Sequence, residues 1–187
     1  MLGAGGATRF GRPKQVATFN GHPMITLAAR NALEFCEAGV AVLTGAHAER
    51  VARAVAGLPV RLVHHDGWAE GLGSTLRAAI DTAPTCDGLL VLACDQPGVS
   101  GERLALLVDA WRRDPDRPAA AAYAGVLGVP AVLPMPAARK ARFAPERGAQ
   151  AWLRAWPGGA TAVALPAGKD DVDTPEELAR LKTLPDR

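Results

Sequence analysis

Short apolar runs alternating with stretches of helical length are the feature that most limits what this chain can become. Val40–Thr44, Val60–His64, 89–94 and 160–165 are brief, apolar and bounded by turn residues, and so read as buried strands. Between them, 24–37, 48–56, 74–82 and 101–113 have the length and composition of helices. The last places Leu104, Leu107, Val108 and Trp111 on one face at spacings of three and four. Thr174-Pro175-Glu176-Glu177 is a helix start, with Thr174 as N-cap, Pro175 at the first helical position and acids in the first turn. The helix it opens should run to about Lys182. Repeated strand–helix alternation predicts an α/β fold with a mostly parallel sheet covered on both faces. Ala119–Tyr123 and 129–133 are too close for a crossover helix; they form a hairpin or bracket a functional loop.

The 187 residues fit a single domain, 1–187, large enough to bury a core. With 49% hydrophobic and 21% charged residues the chain is not disordered, and a net charge of +2 gives no argument for nucleic acid. No apolar stretch reaches the ~18 residues a membrane span needs. Cys36, Cys86 and Cys94 show no metal-like spacing and read as small buried thiols. Their odd number, without a secretory leader, points to a reducing, cytoplasmic setting.

The start of the chain carries the most chemistry. Gly3, Gly5 and Gly6 let backbone N–H groups approach phosphate oxygens closely. Thr8 adds a hydroxyl, Arg9 a planar fork and Lys14 a compact charge, and no acid occurs before Glu34. Two common glycine motifs fail here. The dinucleotide fingerprint needs glycine where Thr8 stands, and the P-loop needs Gly-Lys-Ser/Thr where Gly11 is followed by Arg12 and Pro13. A Gly-rich loop in a doubly wound fold normally follows a buried strand, yet only Met1 and Leu2 precede Gly3. The first strand therefore reads as truncated, and residues before Met1 are expected in the natural protein.

Asp95, at the end of the 89–94 run, stands where α/β folds bind ligands and could hold Mg²⁺, or could instead cap the next helix. Asp170, Asp171 and Asp173 precede the last helix, and three acids in four residues read as a solvated loop or helix-terminus decoration. Ser74 and Thr75 could cap the helix after Gly71, whose N-terminus would favour an anion, with Trp68 a core residue beside it. His64 and His65 have no matching ligands and read as strand-end residues.

Leu2-Gly3-Ala4-Gly5-Gly6-Ala7-Thr8-Arg9-Phe10-Gly11-Arg12-Pro13-Lys14 resembles the signature of the MobA/MocA-like nucleotidyltransferases that activate sugars and cofactors. Asn20-Gly21-His22-Pro23-Met24-Ile25 is similar to that family's Gly-x-Pro turn into its first helix. Asp95-Gln96-Pro97 resembles the metal-binding Asp of its molybdopterin cytidylyltransferase branch. Asp171-Val172-Asp173-Thr174-Pro175-Glu176 resembles its closing Asp-Ile-Asp-Thr-Pro-Glu, with Asp173 favoured over Asp171 as second metal ligand. Trp68 to Arg77 is similar to its nucleotide-side Trp-x-x-Gly-x-x-x-Ser-Leu-Arg. Gly125-Val126-Leu127-Gly128-Val129-Pro130 resembles its acceptor-side Gly-x-x-Gly-x-Pro, and Arg147-Gly148-Ala149-Gln150 a degenerate acceptor segment in which Gln150 replaces an Arg.

This resemblance implies a three-layer α/β/α, Rossmann-like doubly wound sheet of the nucleotide-diphospho-sugar transferase type. It implies transfer of a nucleotidyl group from CTP or GTP to molybdopterin with Mg²⁺, releasing pyrophosphate, the product passing to a molybdoenzyme. It places Arg9, Lys14 and Asp95 in catalysis; Leu2, Gly3, Ala4, Gly5, Gly6, Thr8, Lys14, Gly71, Ser74 and Thr75 at the nucleotide; Asp95 and Asp173 at the metal; and Gly125, Gly128, Pro130 and Arg147 at the acceptor. A sugar phosphate as acceptor and a non-catalytic molybdopterin carrier are the rival readings; an oxidoreductase reading, suggested by the glycines alone, fails on the fingerprint spacing, and only detectable NADPH binding would revive it.

Overall fold

The computed structural model describes residues 1–146 and 148–183. In chain order the elements are β1 (Thr18–Phe19), β2 (His22–Pro23), α1 (Met24–Leu33), β3 (Val40–Thr44), α2 (Ala48–Ala54), β4 (Val60–His64), α3 (Leu72–Asp81), β5 (Gly88–Val91), α4 (Gly101–Arg112), β6 (Ala119–Tyr123), β7 (Val126–Pro134), α5 (Met135–Lys140), α6 (Gln150–Arg154), β8 (Thr161–Ala164) and α7 (Pro175–Lys182).

β3 and β4 pair in parallel, and β5, β7, β6 and β8 lie side by side in that order. Leu2 joins the two groups through parallel bridges to Leu43 and Ala93. The sheet order is thus β4–β3–Leu2–β5–β7–β6–β8, with β7 antiparallel to both its neighbours and β6–β8 parallel. The parallel expectation holds apart from β7, because β6 and β7 form the hairpin alternative: Ala124 and Gly125 both take positive φ, the requirement of a tight two-residue hairpin turn.

Helices cover both faces. On one, Ile25, Ala29 and Ala32 of α1 pack with Val51, Val42 and Leu104. On the other, Leu76 and Ile80 of α3 pack with Leu133, Met135 and Leu153. Full burial of each large apolar side chain contributes roughly 1.5–3 kcal/mol, so these two layers carry the three-layer fold. The α3 helix starts at Leu72 behind a Gly71 N-cap that makes no side-chain cap bond. Ser74 and Thr75 therefore sit inside the first turn rather than capping it. Burial raises the pKa of all three thiols, that of Cys94 to about 12, although only Cys94 is fully enclosed. Among the described residues no helix is long and apolar enough to cross a membrane.

Candidate active site

The site gathers at the carboxyl ends of the parallel strands. Leu2 and Gly3 spend their amides on the sheet, donating to Leu92 O at 2.8 Å and Leu43 O at 3.0 Å. They act as strand here and set the loop's origin. From Gly3 onward the backbone changes function. The carbonyls of Gly3, Ala4, Gly5 and Gly6 each accept a hydrogen bond from the protein. The donors are Gln15 Nε2 to Gly3 and Gly5, Ala46 N to Ala4, and His47 Nε2 to Gly6. Among the described residues, the amides of Ala4, Gly5, Gly6 and Ala7 donate to no protein acceptor. A run of backbone N–H groups free of protein acceptors can form an anion cradle. Beside it, Gly6, Ala7, Gly11, Arg12, Pro13, His47 and Arg50 line an open cleft of about 530 Å³. The other large cavity, about 470 Å³, lies at the amino ends of β3 and β5, away from this chemistry.

A short turn over Lys14–Val16 sends neighbouring side chains to opposite tasks. Gln15 points under the loop, while Lys14 Nζ lies 2.6 Å from Asp95 Oδ2 and 2.8 Å from Asp173 Oδ1. Arg9 pairs with the other Asp173 oxygen at 2.7 Å. Burial works against the Lys14 charge, but the two carboxylates outweigh it and hold its pKa above the ordinary lysine value. Asp173 also pays for partial burial, yet Lys14 and Arg9 hold its carboxyl below the usual range. Asp95 is engaged with Lys14, and the α4 helix has Ser100 as its N-cap, without a side-chain cap bond.

Backbone pairing brings the acidic segment to Asp95: Val172 N donates to Asp95 O at 2.8 Å. Val172 is buried, so its neighbours diverge. Asp173 faces Lys14, whereas Asp171 Oδ1 accepts from Gln96 Nε2 at 2.9 Å. Partial burial, with Asp95 and Asp173 nearby, raises the Asp171 carboxyl even though Gln96 counters it. Gln96 also donates to Gly168 O and Val129 O, and Tyr123 donates to the same Val129 carbonyl.

The remaining expected positions are placed differently. Gly71 has φ +112° and packs on the Pro145 carbonyl, where a methyl group would come within 2.6 Å. Thr75 is buried and its hydroxyl donates back to Gly71 O. Both serve the α3 start. Ser74 Oγ meets His65 Nε2 at 2.8 Å. Gly125 is the hairpin tip; Gly128 lies against the Tyr123 hydroxyl; Pro130 follows the carbonyl that Gln96 holds. Arg147 lies outside the described residues. Sequence reasoning passed over Gln15, whose only signal was its place next to Lys14, and His47, which had none; Gln96 entered only as part of the Asp95-Gln96-Pro97 resemblance.

Asp95 and Asp173 put two carboxylate oxygens around one point, now held by an ammonium. That donor pair fits a hard divalent cation, which takes one or two carboxylates and completes its shell with phosphate oxygens and water. Among the described residues no group of three or more His, Cys, Asp or Glu forms an all-protein metal site.

Fold and site together define an α/β protein with a Gly-rich loop, Lys14 and two carboxylates gathered at the carboxyl edge of its sheet. The model of the MobA-like NTP transferase domain matches residues 1–161, and the chain belongs to that family. It is 30% identical over 193 residues to nicotine blue oxidoreductase of Paenarthrobacter nicotinovorans, covering 97% of this chain and 94% of that protein. Rv0371c of Mycobacterium tuberculosis H37Rv, solved in complex with manganese, is 20% identical with a TM-score of 0.76, over 98% and 96% of the two chains. Molybdopterin-guanine dinucleotide biosynthesis protein A from Archaeoglobus fulgidus is 16% identical with a TM-score of 0.65, over 97% and 94%. These two likenesses speak for the fold.

Proposed function

We propose that this protein is a divalent-metal-dependent nucleotidyltransferase that moves CMP from CTP to molybdopterin and releases pyrophosphate. The observation that carries the reading is the cradle: four consecutive carbonyls held by the protein and four amides without a protein acceptor, beside Lys14, Asp95 and Asp173. In the reaction an acceptor phosphate oxygen attacks the α-phosphorus and pyrophosphate leaves. The nucleophile is already anionic, so the protein's work is alignment and charge stabilisation rather than proton removal. The amides of Gly5 and Gly6 hold the triphosphate, and Arg9 and Lys14 neutralise it. Asp95 and Asp173 would hold Mg²⁺ or Mn²⁺, which supplies charge neutralisation at the α-phosphate and leaving group. Gly128, Pro130 and Arg147 are the acceptor-side candidates.

The similarity to nicotine blue oxidoreductase favours one second reading, in which the cradle takes the pyrophosphate of a nicotinamide dinucleotide. One experiment separates them. Pyrophosphate release is measured with each of the four NTPs, Mg²⁺, and molybdopterin present or absent, and NADPH binding is measured in parallel. Molybdopterin-dependent release with one preferred nucleotide is expected, falling about 10²–10³-fold in Asp95→Ala. Turnover of that variant within about threefold of the parent, or NADPH binding with no release, would overturn the transferase reading.

A further inference from the structure

Gln15 is 1% exposed, the most deeply enclosed polar side chain near the site. Its Nε2 donates to Gly5 O at 2.6 Å and Gly3 O at 3.2 Å, while its Oε1 is buried with no partner among the described residues. The acceptors fix which way the amide lies, since the flipped group would set its oxygen against two carbonyl oxygens. A buried polar atom left unpaired is uncommon and calls for a gain elsewhere.

The gain follows from the planarity of the peptide bond. In a trans peptide the C=O of one residue and the N–H of the next point in opposite directions. Holding the Gly3 and Gly5 carbonyls toward Gln15 therefore turns the Ala4 and Gly6 amides away from it. Glycine does not hold such an orientation unaided, because it populates left- and right-handed conformations about equally. We infer that Gln15 is a positioning residue: its side-chain amide locks the two peptide planes that aim the Ala4 and Gly6 N–H groups at a phosphate of the nucleotide. It touches no ligand and acts through the loop. Lys14, one residue earlier on the same turn, addresses the carboxylates, so a single turn sets both the cradle and its counter-charge. This inference rests on the nucleotide reading above.

The test is calorimetric binding of magnesium–CTP and of Mn²⁺ alone to the full chain and to Gln15→Leu. The expected result is a nucleotide affinity about tenfold weaker or worse, as for loss of a pair of hydrogen bonds, with Mn²⁺ affinity unchanged. A purely structural side chain would lower the unfolding temperature while leaving the nucleotide affinity of the folded protein intact, and that outcome overturns the inference. Should Gln15→Leu not fold, amide NMR of the wild-type protein decides. Ala4 and Gly6 resonances should shift on CTP addition while the Gln15 side-chain protons stay protected from exchange. Shifts elsewhere but not at Ala4 and Gly6 overturn it. No triphosphate binding by the wild-type protein overturns the nucleotide reading and this one together, whereas normal binding by Gln15→Leu overturns this one alone.

Discussion

Lys14 stands between two carboxylates that would otherwise face each other unscreened, and the pH response of the site follows from that placement. Asp173 is held below its ordinary pKa by Lys14 and Arg9. Its contribution to stability is therefore complete above the unfolded value near 3.9 and is lost as pH falls through the lower folded value. Asp173→Asn should destabilise the protein by about 1 kcal/mol at neutral pH, after allowance for solvent screening. The gap from wild type should close as the solution is acidified below about pH 4, followed by circular dichroism. A gap that persists at pH 2 would show that the pair contributes nothing through charge. At this scale the motif residues were legible, because Arg9, Lys14, Asp95 and Asp173 lie in segments whose order is specific. Gln15 and His47 were not: which carbonyl a side chain reaches depends on loop geometry that spacing does not encode. The choice between Asp171 and Asp173 likewise needed buried Val172 to show which neighbour turns toward Lys14.

Among the elements, the last helix does more than pack. Thr174 Oγ1 accepts from Glu177 N at 3.2 Å, and Glu177 Oε2 accepts from Thr174 N and Asp173 N at 2.9 and 2.7 Å. This reciprocal cap also anchors the Asp173 backbone, so helix start and the Asp173 carboxylate are one unit. Thr174→Ala should cost about 1 kcal/mol. For a chain of this size that is a fall of roughly 2–4 °C in Tm, and Mn²⁺ affinity should weaken with it. Unchanged metal affinity at the lower Tm would uncouple the two. The cap was readable from Thr-Pro-Glu-Glu, as were β3 and β4, whose apolar runs end at turn residues. Helices α5 and α6 were not, since six and five residues are too few for a periodic pattern. The β1–β2 ribbon turns on Asn20-Gly21, a recognised hairpin signal that the short strands beside it obscured.

For the whole molecule, the parallel strands deliver the cradle, His47, His65 and Asp95 to one edge of the sheet, as open α/β sheets do with their ligands. A ligand bound there and absent from the unfolded chain must stabilise everything at once. Magnesium–CTP at 100 times its Kd should add about 2.7 kcal/mol, or roughly 5–11 °C in Tm by scanning calorimetry, and less when the metal is omitted. A larger shift with NADPH than with any triphosphate would favour the oxidoreductase reading.

Trp68 gives the same edge a further property. Its indole lies across Gly45 and Gly6, so close that a methyl on either glycine would come within 2.6 and 3.3 Å of it. The other three tryptophans pack elsewhere: Trp111 beside Gly88, and Trp152 edge-on to Trp156. The Gly-rich loop thus lies against a native chromophore, and addition of magnesium–CTP should change its emission without any label.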